Sequence, residues 1–167
     1  MTGEVPEPSP GDDPDAQLAA YAAALAAGID GALAGWVVRS VVRVHAAWSG
    51  SVPPAVRSAA EEAGDAARRT VGPAVRDLLG ADPDDQRTTP LALVRSAVRY
   101  PTEVLAAAGV PPVERDPFAA RAFPDDVYDL SPASWADIDD ELAETGLAWG
   151  AAKAFVHKRR HQGPAPA

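Results

Sequence analysis

Apolar residues recur at steps of three and four from Leu18 to Trp48: Leu18, Ala22, Leu25, Ile29, Leu33, Trp36, Val37, Val41, Val44 and Trp48. That spacing lays one continuous stripe along a helical surface, so the pattern predicts a single long helix. Asp13-Pro14 supplies its start, a capping carboxylate followed by a residue whose missing N–H is harmless in the first turn. Ser49-Gly50-Ser51 ends it. Pro53-Pro54 then opens a second stripe of Val56, Ala60, Ala63, Ala67, Val71, Val75 and Leu78, with Arg57, Glu61, Asp65, Arg68 and Arg69 largely outside it. The short connection predicts an antiparallel helical hairpin over 16–80. Gly31-x-x-x-Gly35 is expected to admit another backbone, and Gly72-Pro73 is expected to kink or break the second helix.

The pattern shortens after the Gly80–Asp85 loop, and a C-terminal region of the same domain spans 88–160. Thr89-Pro90 starts a helix carrying Leu91, Val94 and Val98, and Pro101 restricts Tyr100 and opens another with Val104 and Leu105. Gly109 closes that one. Residues 110–130 place Phe118, Phe123, Tyr128 and Leu130 among Pro and Asp, and predict an irregular wrap over the helices. Ser131-Pro132 caps a further helix with Trp135, Ile138 and Leu142 inward, and Thr145-Gly146 marks a break or bend. The last helix carries Leu147, Trp149, Ala151, Ala154 and Phe155 and runs to about Arg160. No strand-length alternation occurs, so the fold class is all-α: a long antiparallel hairpin packed with several shorter C-terminal helices.

Composition qualifies this picture. Of the 167 residues, 37 are Ala and only 33 are Leu, Ile, Val or Phe, so the core must be thin and closely packed. A second copy of the chain would add burial, so a homodimer is one arrangement the composition allows, and the oligomeric state stays open at this point. The absence of Cys excludes disulfides, thiol nucleophiles and cysteine-bound metals. Residues 1–15 hold four Pro and five acidic groups with little to bury, and predict a disordered acidic tail; 161–167 predict a flexible one. The N-terminus lacks the basic segment of a secretory signal, and Asp30 interrupts the most apolar stretch, so a cytoplasmic protein is expected over a membrane-associated one. Nucleic acid is not an expected partner, because the net charge is −9 and only the last helix is basic.

The sharpest motif is Asp125-Asp126-Val127-Tyr128-Asp129, a DDxxD pattern of the kind that holds magnesium and diphosphate. Following Pro124 and preceding Ser131-Pro132, it reads more simply as a turn leading into an acidic helix start. A metal site on Asp125, Asp126 and Asp129, serving a Mg-dependent enzyme or phosphate-ligand binder, is the alternative. His157 and His161 stand one turn apart, but Lys158, Arg159 and Arg160 between them suit a basic helix end. His45, beside the first stripe, reads as a partly buried structural residue. No nucleophile–base arrangement or phosphate-binding loop is present, so no catalytic residue and no cofactor is assigned. Residues 125–144 carry eight acidic groups and no basic one, whereas 153–160 carry Lys153, Lys158, Arg159 and Arg160. Such segments are most often an ordinary solvated surface; they also suit an intramolecular clasp or complementary patches on two subunits.

Four runs have a wider likeness: Pro101-Thr102-Glu103-Val104-Leu105, Gly109-Val110-Pro111-Pro112-Val113, Phe123-Pro124-Asp125-Asp126-Val127-Tyr128 and Leu147-Ala148-Trp149-Gly150-Ala151-Ala152-Lys153-Ala154. Over about residues 90–160 the chain resembles a family of small, uncharacterised helical proteins of actinobacteria. The resemblance implies no activity and no catalytic residues. It directs attention to residues 111–130 and the last helix. The expected function is therefore a non-enzymatic protein-interaction or regulatory module. It would bind a protein partner or a second copy through Asp125, Asp126, Tyr128, Trp149, Lys153 and His157.

Overall fold

Stripes of small and β-branched residues bury themselves only if helix axes come close, and the longest helix of the chain organises that approach. In the computed structural model, residues 13–81 and 89–163 are described. Of the tail expected over 1–15, residues 1–12 lie outside the described residues and Asp13–Asp15 instead cap and open the first helix. Of the tail expected over 161–167, His161 ends the last helix and 164–167 lie outside, as does the loop over 82–88. Helix α1 spans Pro14–Ser49, with the Asp13 carboxylate accepting from the Asp15 N–H at 3.0 Å and Gly50 ending it at φ 78°. Helix α2, Pro54–Gly80, returns antiparallel. The remaining elements are α3 (Pro90–Arg95), a 3₁₀ turn (Ser96–Val98), α4 (Arg99–Ala107), α5 (Pro117–Ala122), α6 (Trp135–Ile138) and α7 (Leu142–His161). No strand occurs among the described residues, and the fold is all-α.

The α1 stripe is the core. Leu25, Ile29, Leu33, Val37 and Val41 are fully buried, and α2 meets them with Ala60, Ala67, Val71 and Val75. Helix α4 adds Leu105 against the hairpin, and α6 and α7 cover α1 with Ile138 and Leu142. The stripe departs from expectation at its end, where Trp48 is half exposed and packs edge-to-face on His45 at 5.5 Å. His45 is itself buried and fastens the hairpin turn, its Nδ1 donating to the Ser51 carbonyl at 2.8 Å.

Three expectations about glycine and proline are corrected. Nothing lies within 4 Å of a side chain added at Gly31, and Gly35 meets only Arg39 of its own helix. The close approach is at Gly64 instead, where an added Cβ would sit 2.7 Å from the Ala34 backbone oxygen. Helix α2 also continues through Gly72-Pro73. Proline removes a hydrogen bond to Arg69, which is exposed and open to water, while buried Val71, Gly72 and Val75 hold the turn against α1. Gly72 faces Asp30, whose carboxylate lies 3.7 Å from Arg68 and 4.0 Å from Arg76 on α2. These partly exposed pairs contribute little to stability, about 1 kcal/mol at most. Finally, α7 runs unbroken through Thr145-Gly146, and the break falls at 139–141. Gly146 is there because the Trp135 ring lies directly on the helix backbone, in space a Cβ would occupy.

The two classes of glycine predict opposite signs. Gly31→Ala, in open space within a helix, should stabilise the protein by about 0.5–1 kcal/mol. Gly64→Ala gains the same propensity but pushes against backbone that cannot rotate away, and should destabilise by about 1–3 kcal/mol. Urea denaturation of both variants checks this; equal shifts would mean that the crossing is not closely packed at Gly64.

Candidate interaction surface

The chain between α4 and α7 contains only a single six-residue helix and the one-turn α6, yet its backbone is held by named polar groups. Asp129 adopts φ 58°, a left-handed geometry that Asp tolerates better than most residues. This turn brings the N–H groups of Leu130 and Ser131 back onto the two carboxylate oxygens of Asp126, each at 2.7 Å. Asp126 is buried, as is Tyr128, whose hydroxyl donates to the Val110 carbonyl at 2.6 Å and whose pKa burial pushes up. Val113 donates its N–H to Val127 at 3.1 Å, pinning the start of the wrap to its end. Further along, Asp137 closes the start of α6 by accepting from the Ala133 and Ser134 N–H groups, both at 2.8 Å. The Ser134 bond, joined by that of Ala133 and by the Ser134 hydroxyl, holds its carboxyl below the ordinary value of 3.8.

This geometry redistributes the expected site residues. Asp126 and Tyr128 are latches inside the wrap and present nothing to a partner. Asp125 and Asp129 are exposed, and Asp126 has both oxygens engaged. Among the described residues no group of three or more His, Asp and Glu side chains is placed to share a metal ion; the DDxxD sequence forms the turn that Asp126 closes onto the Leu130 and Ser131 N–H groups. Trp149 is half-buried against the core, with the Lys153 ammonium over its ring at 5.2 Å. The ring of half-buried His157 lies 4.2 Å from that of His161, which donates from Nδ1 to the His157 carbonyl at 2.9 Å. At the basic helix end, the Arg160 guanidinium pairs with Asp15 of α1 at 2.9 Å.

Two features stand out around these residues. One is a cleft of about 560 Å³ between α1 and the 129–137 segment, lined by Trp36, Arg39, Ser40, Arg43, Asp129 and Asp137 among others. Two guanidinium groups and two carboxylates balance there in formal charge. Arg39 donates to the Ile138 carbonyl at 2.6 Å and so ties α6 to α1, while Asp137 is committed to its own cap.

The other is the outward side of α7. Successive residues of a helix turn by about 100°, so Leu142, Gly146, Trp149, Lys153 and Val156 share one side, which faces α1 and α6. Glu144, Leu147, Ala151, Ala154, Phe155 and Lys158 share the opposite side, and all six are exposed. Leu147 is 75% exposed and Phe155 58%, in a protein short of bulky apolar groups. These two are functional candidates that sequence reasoning missed. The available clue was a helix with large apolar residues on two sides, more than one contact with the core can cover.

No protein family, curated protein or solved structure matches the chain.

The wrap and the cap give two predictions. Asp126→Ala strands two N–H groups and Tyr128→Phe strands one carbonyl, so each should lower stability by about 1–3 kcal/mol or more, Asp126→Ala the further, measured by thermal unfolding. Because the Asp137 carboxyl is depressed in the fold, its contribution is present above pH 3.8 and is lost as pH falls through the folded value. Asp137→Asn should therefore show a shallower loss of melting temperature between about pH 5 and pH 2 than the parent chain.

Proposed function

We propose that the protein is a non-enzymatic helical interaction module and that its docking face is the outward side of α7. One observation carries this reading. Leu147 and Phe155 expose their side chains on the same face as the small residue Ala151, on a helix fixed to the core from its other side. Exposed Leu and Phe separated by two turns, with small residues between, form the kind of apolar anchor that partners bury. The face is rigid in advance, since Trp135 sits on Gly146 and Leu142 and Val156 are buried on the other side of the helix, so docking requires little ordering. Asp125, Trp149, Lys153 and His157, expected at the interface from sequence, lie outside this row or on the side toward the core, and would border a partner at most. The likeness of residues 90–160 to the small actinobacterial helical proteins adds no catalytic group. A cytoplasmic location belongs to the same reading: α1 is long and apolar enough to cross a membrane by composition, but its stripe is covered by α2 and α7.

A photo-crosslinking amino acid in place of Ala151 tests the face in cells producing the full chain. We expect a discrete adduct that is absent when the same group replaces Arg57 on exposed α2. Phe155→Asp should abolish the adduct while changing stability by no more than about 0.5 kcal/mol. Indistinguishable behaviour at the two positions would remove this face as the docking surface.

A further inference from the structure

We propose that the partner on this face is a second copy of the chain, with the two α7 helices pairing antiparallel about a two-fold axis at Ala151. The inference rests on the reading of α7 as a docking face and adds who occupies it.

The outward face follows a seven-residue spacing: Glu144, Ala151 and Lys158 form one row, and Leu147 and Ala154 alternate with them. The first row is small at its centre and charged at its ends, the second carries Leu147, and Phe155 stands one position beyond Ala154 on the same exposed side. With Ala151 on the axis, an antiparallel copy sets Leu147 against the copy's Phe155, and Phe155 against the copy's Leu147. Glu144 at one end meets Lys158 of the copy, and the other end repeats the pair by symmetry. Ala148, Ala151 and Ala154 at the centre let the helices approach, while the large groups flank them.

Charge settles the orientation. A parallel pair would set Glu144 against Glu144 and Lys158 against Lys158. Sliding the antiparallel pair by one seven-residue step places each Lys158 on Ala151 and leaves Glu144 without its partner. Only the arrangement centred on Ala151 satisfies both ends, as seam charges that specify register do. The neighbours extend it, because Asp140 and Glu141 are exposed just before α7 and Arg159 is exposed in its last turn. A partner of different sequence would need this same acidic-to-basic gradient and a matching apolar centre; the chain carries both. The pairing also suits a core made thin by 37 Ala, since it buries apolar groups that the monomer leaves in water.

Glu144 and Lys158 lie about 21 Å apart along one helix, well beyond the screening length of about 8 Å in physiological salt. Any rescue between them therefore reports contact between copies. The purified full chain should sediment as a concentration-dependent monomer–dimer equilibrium. Glu144→Lys and Lys158→Glu should each weaken the dimer at least ten-fold, whereas mixing the two variants should restore it as a heterodimer. The chain has no Cys, so Ala151→Cys should form a disulfide-linked dimer on mild oxidation far faster than Ala55→Cys on exposed α2. A chain that stays monomeric into the high micromolar range, with Ala151→Cys no faster than Ala55→Cys, overturns the second-copy inference. Failure of rescue on mixing overturns the antiparallel register. In the first case, an Ala151 photo-adduct with a different protein would still leave the docking face standing, so the two claims fail separately.

Discussion

The approach of α2 to α1 at Gly64 and Ala34 is the constraint on which the rest of the structure depends. Alanine and valine bury little area each, so a hairpin lined with them is stable only when backbones come within direct contact. Gly64 lies on the Ala34 backbone, and Gly72 lies where Asp30 reaches across to Arg68 and Arg76. Around this crossing the α1 stripe from Leu25 to Val41 is sealed on one side, and its other side is left for α4, α6 and α7. A wider hairpin would leave those helices nothing continuous to pack on.

A thin core also explains how the C-terminal region is secured. Where a larger protein would add apolar mass, this chain uses polar fasteners with both partners present. Asp126 caps the N–H groups of Leu130 and Ser131, and Tyr128 caps the Val110 carbonyl. Arg39 and Arg95 hold the Ile138 and Pro132 carbonyls at 2.6 and 2.8 Å. Each fastener contributes modestly when made, but breaking one strands a buried group, so the asymmetry favours the closed wrap. Of the motif that looks most like metal chemistry, Asp126 is thus spent on backbone, while Asp125 and Asp129 face solvent.

Much of the fold was legible because helical periodicity is local. The limits of the hairpin and most of the inward faces of α1 and α2 follow from spacing, Asp13-Pro14 and Gly50, but Leu79 rather than Leu78 closes the α2 stripe and Trp48 lies half exposed at the end of α1. What was not legible depends on which distant residue lies opposite. Gly72-Pro73 reads as a break until Asp30 and the α1 stripe are seen to hold the turn, and Thr145-Gly146 reads as a bend until Trp135 is found on Gly146. The site was less legible still. Asp126 and Tyr128 belong to residue types that commonly mark surfaces, and only the turn at Asp129 folds them inward. Leu147 and Phe155 belong to types that mark cores, and nothing local says that Trp149 and Val156 already occupy the core side of α7.

That two-sidedness is the physical reason to treat α7 as more than a cover for α1. A helix needed only for packing gains nothing from Leu147 and Phe155 in water, where polar residues would raise solubility at no cost to the core. Its inward side is anchored towards both ends, by Leu142 against Gly28 and by buried Val156, so the outward residues cannot be rotated into the protein. Their exposure is a fixed property of the fold. An apolar face held this rigidly, bounded by an acidic group at one end and a basic group at the other, is complementary to its own reverse.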